Sequence, residues 1–195
     1  MDPTTPKSNR ENVTDMITNA TPLIQGKVGG VASLFSKVKW RSVAFTIPMV
    51  PEPSHRPRLC GYRVYVPGAA KHQSFFNRFV TPTLNLFIDT PCKIKIDIFC
   101  QTPKSFTKTQ QILAEMGIIR PWVNTGDVDN YEKAVMDMMQ PNEKRGHVGI
   151  MSNDCLVIES NTSKYYSRNP RYEVTLTYMV NIPDSILPVL RLKND

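Results

Sequence analysis

Hydrophobic and polar positions change period several times along the chain, and each change marks an element. In residues 42–47, Val43, Phe45 and Ile47 alternate with Ser42, Ala44 and Thr46, which predicts a half-buried strand. Pro48, Pro51, Pro53 and Pro57 then impose an extended loop. Residues 61–66 read as a second strand, closed by Pro67-Gly68. Residues 69–80 predict a helix with Phe75, Phe76 and Phe79 together on one side. The clearest strand spans residues 93–100, with Ile94, Ile96, Ile98 and Cys100 on one face and Lys93, Lys95 and Asp97 on the other. Residues 107–116 predict a helix that carries Ile112, Leu113 and Met116 on one face and stops at Gly117. Further on, Tyr131, Ala134, Val135, Met138 and Met139 recur at helical spacing. A polar loop over 140–147 and a short apolar run over 148–151 lead to a strand over 155–161. A polar turn carrying Lys164, Arg168 and Arg171 follows. Tyr172, Val174, Leu176 and Tyr178 then alternate with Glu173, Thr175 and Thr177, as the last strand of a hairpin.

Strands and helices in this mixture predict an α+β fold. A single small domain over residues 42–195 would hold a mixed, mainly antiparallel sheet packed against a few helices. Residues 1–41 form an N-terminal extension. Its first eleven residues are polar with Pro3 and Pro6 and are expected to be disordered. Beyond them lie two fragments of helical period, one with Val13, Met16 and Ile17, the other with Val28, Val31, Leu34, Phe35 and Val38. Lys27, Lys37 and Lys39 flank the second, and its apolar stripe is expected to pack on its own domain. The tail over 184–193 carries Ile186, Leu187, Val189, Leu190 and Leu192, suited to docking on the domain or on a second subunit.

Composition sharpens the picture. Hydrophobic residues make up 41% of 195, enough for a packed core. The formal net charge of +7 favours a polyanionic partner, nucleic acid first and an anionic membrane surface second. No apolar run approaches the ~18 residues of a membrane span, and no secretory leader is read at the N-terminus. The four cysteines form no C-x-x-C pair, and the three histidines are scattered, so a zinc centre is not expected. Reduced thiols buried in a cytosolic protein fit better.

Candidate chemistry concentrates between Gly126 and Asp154. Asp127 and Asp129 stand at the start of the amphipathic helix, where a carboxylate can cap free backbone N–H groups. Capping needs one carboxylate, and here there are two, with Asp154 following after a loop and an apolar run. Three carboxylates brought together repel one another unless a cation lies between them, and an all-oxygen set suits magnesium. Either role is compatible with the spacing. A calcium loop is not, because the sixth position from Asp127 is Glu132 where that loop requires glycine.

The run Asp127-Val128-Asp129-Asn130, with Lys133 four residues after Asp129 and Asn153-Asp154 before Leu156-Val157-Ile158, resembles the RusA family of Holliday junction resolvases. That resemblance implies a phage or prophage endonuclease acting as a homodimer on branched DNA in the bacterial cytoplasm. It implies Mg2+ as cofactor, with Mn2+ able to substitute, and no small-molecule cofactor. Asp127, Asp129 and Asp154 match the family's metal-binding catalytic aspartates, and Lys133 matches its catalytic lysine. Lys164 falls where the family often has a further basic residue. Tyr131 replaces the usual leucine after Asn130, Asn153 replaces an acidic residue, and residues 104–125 lengthen the approach to the motif. A proline-rich loop near the family's active site makes Arg56 and Arg58 candidates for DNA contact. Lys71, Arg78, Lys164 and Arg168 complete that set. Exposed phenylalanines could stack on bases, although burial in the core is the stronger expectation for Phe75, Phe76 and Phe79. A non-catalytic DNA- or membrane-binding protein with a structural acidic cluster is the competing reading.

Overall fold

The computed structural model describes residues 38–182 apart from 56, 123 and 124. The helical fragments expected in the extension, the C-terminal tail and Arg56 lie outside the described residues.

Four long strands form one sheet. They are β1 (Lys39–Ile47), β4 (Cys92–Gln101), β5 (Val157–Ser167) and β6 (Arg171–Val180), in the spatial order β1-β6-β4-β5. β6 runs antiparallel to both β1 and β4, and β5 runs parallel to β4. The sheet is therefore mixed and mainly antiparallel, as its alternating strands predict. β1 begins at Lys39, so the last residues of the presumed extension already belong to the sheet.

Several readings of local structure are corrected. β5 and β6 do not form a hairpin pair, because β4 lies between them in the sheet. The second strand is a small hairpin, β2 (Arg58–Cys60) and β3 (Arg63–Tyr65), because Gly61 takes φ +61° and turns the chain. β5 runs on through Lys164 to Ser167, and Arg171 opens β6, so of the three basic residues only Arg168 occupies the turn. Thr81–Leu84 adds a one-turn helix, α2, directly after α1 (Ala69–Phe79).

One face of the sheet carries the core. Ile47 of β1, Ile94, Ile96 and Ile98 of β4, and Tyr172, Val174 and Leu176 of β6 are all buried there. They belong to one apolar cluster with Phe76 of α1 and Tyr131, Val135, Met138 and Met139 of α4 (Val128–Met139). All five apolar positions read from the α4 sequence are buried. On α1, Phe76 is buried and Phe75 half-buried, whereas Phe79 is exposed and packs beneath Arg78. Helix α3 (Lys108–Glu115) starts in a capping box: Thr107 Oγ1 accepts from Gln110 N and Gln110 Oε1 accepts from Thr107 N. It buries Ala114, half-buries Leu113 and leaves Ile112 and Met116 exposed, so only Leu113 of the face expected for it is turned inward. Cys92 and Cys100 are buried free thiols, whose pKa burial raises, to about 11 for Cys92, and Cys155 is an exposed one.

Candidate active site on helix α4

The acidic helix start is held from two sides. On one side is the proline-rich loop after β1. Tyr172 Oη accepts from Glu52 N and donates to Glu52 O, at 3.0 and 3.1 Å, which anchors the loop to the sheet. From there Ser54 N donates to Asn130 O at 2.9 Å. Pro53 lies so close to Gly126 that a Cβ added there would come within 2.5 Å of the proline ring. Only glycine admits that approach. On the other side is the edge strand β5. Ser160 Oγ and Thr162 Oγ1 donate to the two carboxylate oxygens of Glu132, at 2.6 and 2.8 Å. Lys164 Nζ donates to Gly126 O at 2.8 Å and to Thr125 Oγ1 at 3.2 Å.

Between these supports the polar ridge of α4 faces solvent. Asp127 is the N-cap residue, yet its side chain makes no capping bond, and both Asp127 and Asp129 are exposed. Lys133 follows Asp129 by one turn and pairs with Asp137, a further turn on, at 3.7 Å. Asp154 opens a short 3-10 turn (Asp154–Leu156) beside the middle of α4, where a groove of about 420 Å³ is lined by Glu132, Met136, Asp154 and the start of β5. Its place is set by the chain before it. Ile150 N and Met151 N both donate to Met139 O, and Ile150 O and Ser152 N pair with Ile88. Asn153 Oδ1 accepts from Cys155 N and closes the turn.

Asp137 is the carboxylate whose titration answers to this arrangement. Burial raises its pKa first; Lys133 opposes, and the negative charge of Asp154 adds to the rise. Asp154 is therefore electrostatic company for Asp137, which lies eight residues, about 12 Å, along the helix from Asp129. Among the described residues no three carboxylates, histidines or cysteines stand close enough to share one ion. The donors are nonetheless all exposed or half-buried carboxylate oxygens, the chemistry that a hard divalent cation takes. Magnesium takes one or two protein carboxylates and completes its shell with water and phosphate, so the donor set fits without a closed cage of three.

The described basic candidates are spread over four places. Arg58 is exposed on β2. Lys71 and Arg78 lie on α1, Lys71 paired with Glu52 at 3.0 Å and Arg78 over the Phe79 ring. Arg168, in the β5–β6 turn, donates through its backbone N to Glu115 and through its guanidinium to Gln111, both on α3. Lys164 is half-buried and bonded within the protein. Two residues outside the candidate set read from the sequence gain a role. Glu132 joins the helix to the edge strand, and Asp137 is the neighbour of both Lys133 and Asp154. The signal for Glu132 was present: Ser160, Thr162 and Lys164 are polar where a strand that packs on a helix is normally apolar.

The family model described as Endodeoxyribonuclease RusA matches residues 48–177. The chain belongs to the RusA endodeoxyribonuclease family. It is also 29% identical over 143 residues to the uncharacterized protein YqaN of Bacillus subtilis (strain 168), an alignment covering 69% of this chain and 94% of YqaN. RusA members are hydrolases that cut phosphodiester bonds of Holliday junctions and bind branched DNA. The matched span contains every candidate residue from Arg56 to Arg168. Among the described residues no helix is long and apolar enough to cross a membrane.

Proposed function

We propose that this RusA-family chain is a magnesium-dependent, structure-selective endonuclease that resolves four-way junctions in recombination and repair, as a homodimer in the bacterial cytoplasm. Manganese would substitute for magnesium. The nuclease domain is assigned to residues 42–195 and the extension to 1–41, with the boundary drawn back to Lys39 where β1 begins. The observation that carries the reading is the exposed acidic start of α4, with Lys133 one turn on, inside the matched span.

Asp127 and Asp129 would hold the ion at the helix start, with Asp154 adding negative charge beside the middle of α4 and not closing a cage of three. When bound, a divalent cation acidifies a coordinated water and neutralises charge on the phosphoryl oxygens. The protein's own groups do the rest. Lys133 projects a mobile ammonium from the same ridge, suited to the scissile phosphate or the leaving oxygen, and Asp137 holds that ammonium until DNA competes for it. The proline-rich loop and β5 fix the helix start, so the aspartates need no rearrangement as the phosphate arrives. Arg56, Arg58, Lys71, Arg78 and Arg168 supply backbone contacts that report the branched shape of the substrate more than its sequence. A junction has near two-fold symmetry, and a two-fold dimer presents two equivalent sites to two strands.

The test is cleavage of a synthetic four-way junction and a linear duplex, with and without magnesium, by wild type and Asp129→Asn. Wild type should cut the junction only with the metal, and the variant should fold and bind the junction without cutting. Equal cleavage by the variant would refute the assignment.

A further inference from the structure

We propose that Lys164 is a positioning residue for the acidic turn and not a phosphate contact; the inference rests on the nuclease reading above. On β5 its register partner across the parallel pairing is Ile98, which is wholly buried. Lys164 therefore leaves the strand on the inward face of the sheet, toward the helix layer. There its ammonium spans two consecutive residues, bonding Gly126 O at 2.8 Å and Thr125 Oγ1 at 3.2 Å. Gly126 immediately precedes Asp127. An ammonium-to-carbonyl bond is charge-assisted and stronger than a neutral one. Arg120 fixes the strand at the same residue, donating from Nη1 to Lys164 O at 3.2 Å while its guanidinium lies 4.0 Å over the Tyr165 ring. Ser160 and Thr162, on the same inward face, hold Glu132 of α4.

The inner face of the edge strand is thus a polar ladder that grips the helix start at two levels, with Lys164 gripping the peptide that delivers Asp127. Two of the three ammonium donors are spent on this turn, and the side chain is half-buried. A lysine serving phosphate would instead present its ammonium to solvent. Loss of the clamp removes the grip of β5 on the peptide before Asp127, and the contacts that remain, from Pro53, Ser54, Tyr131 and Glu132, leave that peptide free to drift by a fraction of an ångström to an ångström. Misplacement of about 1 Å costs on the order of 100-fold in rate.

The experiment compares Lys164→Met and Thr125→Val with wild type in three measurements on the full chain. Amide hydrogen exchange at residues 131–134, the first amides of α4 that have acceptors, should accelerate at least tenfold in Lys164→Met and less in Thr125→Val, which loses one of the two bonds. Junction binding in calcium should keep its affinity within twofold and its salt slope, whereas loss of a phosphate contact would reduce that slope by about 1. Single-turnover cleavage in magnesium should fall on the order of 100-fold at saturating junction. Unchanged exchange at 131–134, or a slope reduced by about 1, overturns the clamp. Should Lys164→Met fail to fold, exchange in Thr125→Val decides, and no acceleration there overturns it. A wild type that cuts no junction with either metal overturns the nuclease reading, while the exchange measurement still decides whether Lys164 holds the turn.

Discussion

Glu132 is the residue whose removal should separate helix α4 from the edge strand most cleanly. Its two carboxylate oxygens accept from Ser160 Oγ at 2.6 Å and Thr162 Oγ1 at 2.8 Å. Hydrogen bonds to a charged group contribute about 1.5–3 kcal/mol each. Here Ser160 is exposed and Glu132 and Thr162 are half-buried, so water competes and the low end of that range applies. Glu132→Ala should then cost about 2–3 kcal/mol for the pair, with no further penalty for stranded hydroxyls, because water reaches them. For a chain of this size 1 kcal/mol shifts the melting temperature by about 2–4 °C, which places the expected drop near ~6–9 °C. Thr162→Val and Ser160→Ala should each lose about half of that. A double-mutant cycle isolates the link: the coupling between Glu132→Ala and Thr162→Val should exceed ~0.5 kcal/mol, since the two groups touch. Thermal or urea unfolding, followed by circular dichroism, measures both. A melting point within 1–2 °C of wild type, on the order of the shift for a neutral surface change, would refute the idea that this polar contact holds the helix to the sheet.

Two further outcomes follow from the same region. The pKa of Asp137 is raised from the usual aspartate value by partial burial, with Lys133 opposing and the negative charge of Asp154 adding to the rise. A raised carboxyl pKa contributes stability that is full below the unfolded value and lost as pH rises through the folded value. Asp137→Asn should therefore be more stable than wild type at neutral pH and show no advantage near about pH 3, as urea midpoints at the two pH values would reveal. The Lys133 pair it gives up is exposed and subtracts little. Gly149 has φ +67°, and a Cβ there would meet Met139 O at 2.5 Å and the Gln140–Pro141 peptide at 2.7 Å. Left-handed strain alone costs about 1–2 kcal/mol. With that backbone collision added, Gly149→Ala should lower the melting point by roughly 10 °C or more; a variant that melts with wild type would show that the loop has room to move.

Elements with a strong local period were legible in the sequence. Residues 131, 134, 135, 138 and 139 mark a helical stripe without reference to any other part of the chain, and all five are buried. The alternation on β4 likewise names its buried face correctly. Where period is short or contradicted, the reading failed for identifiable reasons. Helix α3 has eight residues, too few to average out one misplaced stripe, and the small Ala114 takes the buried position that Ile112 and Met116 seemed to claim. The stretch read as one strand opens at Gly61 and holds only β3, while β2 lies before it in residues read as proline-rich loop, because a glycine at positive φ looks the same in sequence as one in an extended chain. β5 is polar on both faces over most of its length, so alternation could not define its extent, and Lys164 was placed in a turn.

The candidate site is legible in the sequence as chemistry and not as geometry. The motif names Asp127, Asp129, Lys133 and Asp154 because spacing along one helix fixes three of them relative to each other. Asp154 arrives by a route that spacing does not encode. The Met139 carbonyl receives two backbone donors, Ile88 receives the strand-like run, and the resulting turn sets Asp154 against the middle of α4 and not its first turn. A carboxylate there meets Asp137 before it meets Asp129. The consequence for the chemistry is a row of negative charge along α4, broken by Lys133, and not a single knot of three aspartates. Such a row repels itself until positive charge arrives. On the proposed reading, a divalent cation with its waters would satisfy the open end at Asp127 and Asp129, and the bonds of Lys164 to the Gly126 turn would keep that end in place as phosphate approaches.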